Sequence, residues 1–539
     1  MRRLQQLRSV FAILIACVQL DCGASRDPGD AEKAAANAAS LQSKGPEGDG
    51  PPATRIVSGS LRSIFQHDDG ATEDVLDTQF VTPDTILYPD GNGSFVSQPL
   101  AIDPDGNFSV PGVPRGTYYL KSSFLFGTFS SNGFIIGTFV GLAPLDADTP
   151  DLTAFIHGRA NAAFPTAQTH VSLNVSGLDP WASSDDLFIV TAQSFTSRAP
   201  SRAQRPADGA TEAALNFSWF QAFDGVAGNL PDAQQGDSTY FYQVHSRPMA
   251  NGVDVALADR FAGPVAFTVP DGATVSTSVA LQPVPLDRSA GTGAALSKFA
   301  AIVPEMNPAA SLTADPDSLA VPFAFSELFA VPGPLAFPDG QAFGIAPRVH
   351  EASYNYPTVD QDTDFGTLHY GGFLDPLYQD AREFVFGASL VLTAEDGTKM
   401  GFNPGYLVVA PPDSLPGVIE PELTPVRHPR IQGKNAFAAQ TGVGLTPTLS
   451  WKEPRRGKPS SYVVQINMIS APASDDTVIA IQARVYKATS FTVPPGLLVP
   501  GKTYNASITA IRTDEDENRP FRAGLPIIQV DAMTNTFTP

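Results

Sequence analysis

The chain has few residues able to do chemistry, and they are widely spaced. Both cysteines, Cys17 and Cys22, lie in the first 22 residues. The body therefore has no thiol nucleophile, no disulfide framework and no Cys-ligated zinc site. No serine stands in a G-x-S-x-G elbow, and there is no P-loop or G-x-G-x-x-G turn. His350-Glu351 begins like a zinc-hydrolase helix motif, but the fourth following position is Tyr354, so no second ligand falls on the same face. The other histidines, His67, His157, His170, His245, His369 and His428, are scattered singly, as structural or surface residues usually are. Asp360, Asp362 and Asp364 alternate along one segment, giving the hard oxygen donors that Ca2+ prefers. An EF-hand loop would need Gly and Glu where Phe365 and Gly371 stand, so the segment reads as a looser Ca2+ loop or an Asp-stabilised turn. Asp146, Asp148 and Asp151 form a weaker version. Fifty-five acidic residues offer many carboxylate pairs for glycoside hydrolysis, but nothing singles one out. Tyr354, Tyr356, Tyr370 and Phe373 are expected either to stack on sugars from one sheet face or to fill a core. The expectation is a protein that is not an enzyme, with no cofactor beyond a Ca2+ candidate.

The N-terminus gives an address. Arg2, Arg3 and Arg8 precede an apolar run from Val10 to Leu20, too short to cross a bilayer and fitting a secretory h-region. Leu14-Ile15-Ala16-Cys17 resembles a bacterial lipobox. Cys22 is an alternative acylation site, and cleavage after Ala24 a third outcome. Asp27 to Thr54 is polar and rich in Ala, Gly and Pro, a composition that reads as a disordered tether. A surface lipoprotein, or a secreted protein, is the expectation, touching membrane only through an N-terminal lipid.

From Arg55 onward, short alternating apolar segments are punctuated by turn residues. Examples are Phe108-Ser-Val, Tyr118-Tyr-Leu, Val171-Ser-Leu-Asn-Val, Tyr462-Val-Val-Gln-Ile and Ile508-Thr-Ala-Ile. Pro-Asp-Gly recurs at 89–91, 104–106, 270–272 and 338–340. There Pro presets φ, Asp caps its own backbone and Gly accepts positive φ. Many short strands so punctuated indicate sandwiches. Short helices are expected only at Ala31–Leu41 and around Asp375–Glu383. A Phe-Ser/Thr-Val-Pro pattern recurs at Phe108, Phe267 and Phe491 and reads as a strand end closed by proline.

Two segments resemble known modules. Leu449-Ser-Trp451, Ser461 to Ile466, Thr489 to Pro494 and the run Leu498 to Ala510 resemble strands B, C, E and F of a fibronectin type III domain. The resemblance implies that Trp451 and Leu498 anchor its core and that Tyr504 forms the tyrosine corner, bonding back to upstream backbone. It also implies a spacer or a binding scaffold. Pro526, just before Ile527-Ile-Gln-Val530, implies a final strand at a sheet edge. The run Ala101 to Leu120, with Asp105-Gly-Asn-Phe108 and Pro111-Gly-Val-Pro-Arg-Gly116, resembles the carboxypeptidase regulatory-like, prealbumin-type sandwich, which has no catalytic residues.

The expected architecture is all-β, a string of about four sandwiches of Ig, fibronectin III or prealbumin-like type. They follow a signal peptide at 1–22 and a disordered linker at 23–54. The expected divisions are 55–150, 151–294, a β-rich region of unnamed type at 295–434, and 435–539. Charge is uneven: the whole chain carries −21, residues 23–445 carry −25 and residues 446–539 carry +2. This acidity argues against nucleic acid as a partner. Five N-x-S sequons, at Asn92, Asn107, Asn174, Asn216 and Asn505, matter only in a glycosylating host. The functional expectation is an exported bacterial surface protein with an adhesion, envelope-structural or binding role, its partner a protein or polysaccharide. The alternative is a carbohydrate-binding or carbohydrate-processing protein with its site in 295–434.

Overall fold

The computed structural model describes residues 54–67, 71–75, 83–91, 95–130, 133–162, 168–191, 196–198, 205–219, 229–249, 253–317, 319–332, 349–374, 378–469, 478–513 and 524–539. Both cysteines and the Ala31–Leu41 segment lie outside these residues. Strands dominate, and the chain is an all-β protein of packed sheets.

Each sheet follows from period-2 alternation. In Thr54–Gln66 the inward residues Val57, Leu61 and Phe65 are buried. That strand pairs antiparallel with Asn107–Pro114 and parallel with Leu152–His157. It packs over a second sheet that includes Pro83–Pro89 and Tyr118–Ser130, enclosing Ile86, Phe108, Val110 and Leu120. The next core lies behind His170–Ser176, which sits between Glu212–Ser218 and Thr274–Ala280. Val171, Leu173 and Val175 point inward against Trp181, Trp219 and Phe241 of this unit. The turns at Gly91, Gly106 and Gly272 adopt positive φ, as Pro-Asp-Gly requires.

In the region from 295, two short helices, Leu296–Ala300 and Val303–Met306, precede a sheet built on Phe323–Pro332, Val349–Asn355, Tyr378–Gly387 and Gly405–Ala410. Phe299 packs between Phe384, Phe386 and Tyr406, with ring centroids 4.9 to 5.6 Å away. The helix expected around Asp375–Glu383 is instead the strand Tyr378–Gly387. Its residues from Ala381 to Gly387 are all buried and its neighbours pair on both sides, so it is an interior strand that buries Arg382 and Glu383 beside Phe384 and Phe386, and the polar–apolar alternation of period 2 disappears. Phe108 and Phe491 of the recurring pattern lie in strands, but Phe267 falls just past the end of Asp254–Ala266, still buried.

The C-terminal sandwich pairs Arg427–Ile431, Thr448–Lys452 and Ser490–Thr492 in one sheet. Ser461–Ile469, Val478–Tyr486, Thr503–Arg512 and Ile527–Met533 form the other. The last of these is not an edge. It pairs with Thr503–Arg512 on one side and Gly405–Ala410 on the other, and Pro526 precedes its first ladder position, where its missing N–H removes no bond. Buried Asp531 seals this junction, accepting from Thr509 Oγ1 at 2.6 Å and from the Gly405 amide at 3.1 Å.

Pairing also crosses the divisions proposed at 150, 294 and 434. Leu152–His157 belongs with Thr54–Gln66, Asp254–Ala266 pairs with Val349–Asn355, and Gly133–Leu145 pairs in parallel with Val478–Tyr486.

Candidate functional site

The Ca2+ candidates are occupied locally. Asp362 Oδ1 accepts the Ser297 amide at 2.9 Å, and the Ser297 hydroxyl together with that amide holds its carboxyl below the usual range. Asp364 Oδ1 accepts the Gly366 amide at 2.8 Å, closing an Asx turn into a glycine at φ 82°. Asp360 is exposed. Among the described residues no three His, Cys, Asp or Glu side chains gather as a metal group would need.

The aromatic platform is absent from the surface. Tyr354 is 3% exposed, and Tyr356, Tyr370 and Phe373 are buried with it. Tyr354 and Tyr356 meet edge to face at 5.5 Å, and Phe373 packs on Tyr242 and Phe261. Their spacing reflects a core, the second of the two roles expected for them, and gives no stacking cleft from these four rings.

Beneath them lies a carboxylate pair. Arg288 is hydrogen-bonded to Asp380 and lies 3.7 Å from Glu351. Tyr370 donates to Asp380 at 2.9 Å. Glu351 is 1% exposed and neither of its oxygens has a hydrogen-bond partner. Burial, reinforced by Asp380 and opposed by Arg288, pushes its carboxyl well above the usual range. A glycosidase needs one carboxyl held protonated and its partner held ionised, whereas burial raises both Glu351 and Asp380 and Glu351 is closed off from solvent. Gly371 is required beside this cluster, because a β-carbon there would lie 1.7 Å from the Pro285 carbonyl oxygen.

A second ionic network pins the loop after His170–Ser176. Asp179 pairs with both Arg260 and Arg247, and Arg247 reaches Asp259 at 2.7 Å. Fully buried Asp185 accepts from Gln243 Nε2, and from the Ala182 amide at 3.0 Å, with His245 Nδ1 at 2.9 Å. Burial, opposed by Arg247, pushes Asp259 up to about 6. His245 and Asp185 thus form a positioned pair inside a structural network.

Trp451, Leu498 and Tyr504 are all buried. The Tyr504 hydroxyl accepts the Val499 amide at 2.9 Å, five residues upstream. Trp451 meets Tyr462 edge to face at 5.1 Å.

What the surface presents is a polar sheet face that the sequence reading missed. In register across three strands stand Ser276, Ser172 and Asn216, then Ser278, Asn174 and Ala214, then Ala280, Ser176 and Glu212. Neighbouring strands set these columns about 4.8 Å apart. Ser172 donates to Asn216 at 2.6 Å, and the small residues leave a groove of about 600 Å3 between Asn174, Ser176, Glu212 and Ser278. The Ser-x-Asn-x-Ser alternation at 172–176 was visible in the chain, but its neighbours come from 44 and 104 residues away. Of the sequons, Asn107, Asn174 and Asn216 are exposed, Asn505 is fully buried, and Asn92 lies outside the described residues.

No family model matches the chain, and no curated protein matches it. Solved structures similar to it include a proposed carbohydrate-binding protein from Pseudomonas aeruginosa, 16% identical, covering 20% of this chain and 90% of that one, TM-score 0.11. The chicken CNTN1 FN1–FN3 domains are 10% identical over 68% of this chain and 95% of theirs, TM-score 0.13. A Ca2+-stabilised adhesin with which an Antarctic bacterium binds ice is 10% identical over 91% of this chain and all of that one, TM-score 0.14. Among the described residues no helix is long and apolar enough to cross a membrane. By its own strand pairings, the chain is an all-β protein of sandwich modules.

Proposed function

We propose that the chain is a non-enzymatic, exported bacterial surface protein that binds a protein or polysaccharide through exposed sheet faces. The observation that carries this reading is the contrast between its carboxylates and its surface. The acids whose carboxyls burial pushes upward, Glu351, Asp380, Asp259 and Asp531, are buried or half-buried, whereas Asn174, Ser176 and Ser278 line an open groove. A catalytic pair needs access to substrate; a binding face needs only display. Export rests on the basic and apolar N-terminal run, and anchoring on Cys17 or Cys22, with 23–54 as the tether.

Two measurements test this. Membrane fractionation with mass spectrometry of the native N-terminus should find a diacylglyceryl cysteine at position 17 or 22. An unmodified start near Ser25 in the medium would replace the anchored protein with a secreted one. Screening the purified protein against polysaccharides should give binding without hydrolysis, weakened by Asn174→Asp with Ser278→Asp. Hydrolysis abolished by one carboxylate substitution would overturn the reading.

A further inference from the structure

The C-terminal sandwich concentrates positive charge on an otherwise acidic chain. Between residues 424 and 460 there are seven Lys or Arg and one acid, Glu453. Strand pairing brings Arg427, Arg430 and Lys452 to one face. Arg427 stands directly opposite Lys452, and Arg430 opposite Ser450, while the inward partners Ile431 and Leu449 are buried. Like charges directly opposed across a ladder are destabilising without a counter-charge.

The backbone is bent to place them. The register shifts between Arg427 and Arg430, where His428 adopts φ 50°. Gln432 and Gly433 both have positive φ, turning the chain tightly so that Lys434 falls opposite Ile431. A positive φ in a non-glycine residue is costly and tends to be kept where it positions something. Arg455, Arg456 and Lys458 follow Lys452 in an exposed loop. Arg455 pairs with Glu305 at 2.7 Å. Lys434, Lys452 and Lys458 have no carboxylate within ion-pair distance among the described residues.

We infer that this face binds an acidic polysaccharide, with carboxylate or sulfate-type groups as the recognised chemistry. The acids that border the face select a narrow polymer. Glu305, Glu420 and Glu422 border its Arg456 end, so a flat bilayer laid on it would meet those carboxylates as well. Two copies of a chain carrying −21 would likewise bring many acids within the ~8 Å over which charges are felt in physiological salt. A thin polyanion follows the basic stripe alone. Nucleic acid is disfavoured because Trp451 and Tyr462 are buried, leaving these rings unable to stack on bases.

The test uses the full chain and immobilised polygalacturonate, dextran sulfate and neutral dextran, in about 150 mM NaCl. Either acidic polymer should be retained and neutral dextran should not. Lys452→Glu with Arg456→Glu and Lys458→Glu should weaken retention about tenfold or more at unchanged Tm, while Lys399→Glu, at a lysine outside this stretch that pairs with Asp317, should not. Should the triple variant lower Tm, Lys452→Gln with Lys458→Gln replaces it, with about a threefold loss expected. Retention on neither acidic polymer, equal retention on dextran, or full retention by the charge-reversed variants would overturn the inference. So would tighter binding to single-stranded DNA or to phosphatidylglycerol vesicles, or a dimer in sedimentation that the reversal dissolves. Failure here leaves the proposed export and anchoring untouched, since fractionation tests those separately.

Discussion

The Arg159 guanidinium forks onto the Asp237 carboxylate at 2.9 and 3.0 Å, both groups buried, joining positions 78 residues apart. Arg159 also reaches the Leu230 carbonyl at 3.1 Å. It follows Leu152–His157, so it couples the sheet containing that strand to the core behind His170–Ser176. Arg159→Ala should destabilise the protein by about 3–5 kcal/mol, because it strands a buried carboxylate. Urea denaturation of the two proteins measures this, and a loss below about 1 kcal/mol would show that water replaces the guanidinium.

Glu351 makes stability depend on pH in a defined direction. Its folded carboxyl titrates above its ordinary value of 4.5, so the native state binds the proton more tightly than the unfolded chain. That contribution is fully present below 4.5 and is lost as pH rises through the folded value. Glu351→Gln stays neutral, so its Tm should match the parent near pH 4 and exceed it increasingly toward pH 8. A variant less stable than the parent at pH 8 would mean that the Arg288 ion pair outweighs burial.

Tyr504→Phe keeps the ring and removes the acceptor for the Val499 amide. The expected cost is about 1–3 kcal/mol, the penalty for an unpaired donor at a part-buried site. The same change at Tyr462 should cost less if ring burial, and not the hydroxyl, is what that position supplies. Chemical denaturation of the pair decides between them.

The carboxylates at 360–364 should act as caps. Ca2+ at millimolar concentration, or EDTA, should move Tm by less than about 1 °C. Asp362→Ala should cost roughly 0.5–2 kcal/mol through the lost bond to the Ser297 amide, and Asp362→Asn much less. A Ca2+-dependent rise in Tm that Asp362→Asn abolishes would restore the metal reading.

Local chemistry was legible in the chain and long-range register was not. Val171, Leu173 and Val175 announce one buried face, and Pro-Asp-Gly at 104–106 and 270–272 announces turns, because each depends on neighbours in sequence. Tyr378–Gly387 was unreadable because a strand buried on both faces loses its alternation. The tyrosines at 354, 356 and 370 look alike in a core and in a sugar platform; only burial separates the two. The opposition of Arg427 and Lys452 was invisible for another reason: charge counting finds an excess, but not which residues share a rung.

The parallel pairing of Gly133–Leu145 with Val478–Tyr486 has a consequence for how the protein comes into being. Residue 137 meets residue 478, so one margin of an early sheet stays open while the whole middle of the chain is made and delivered. An open margin recruits strands indiscriminately. A chain released from the ribosome before residue 483 would carry that adhesive border, so correct assembly here is a matter of timing as much as of contacts.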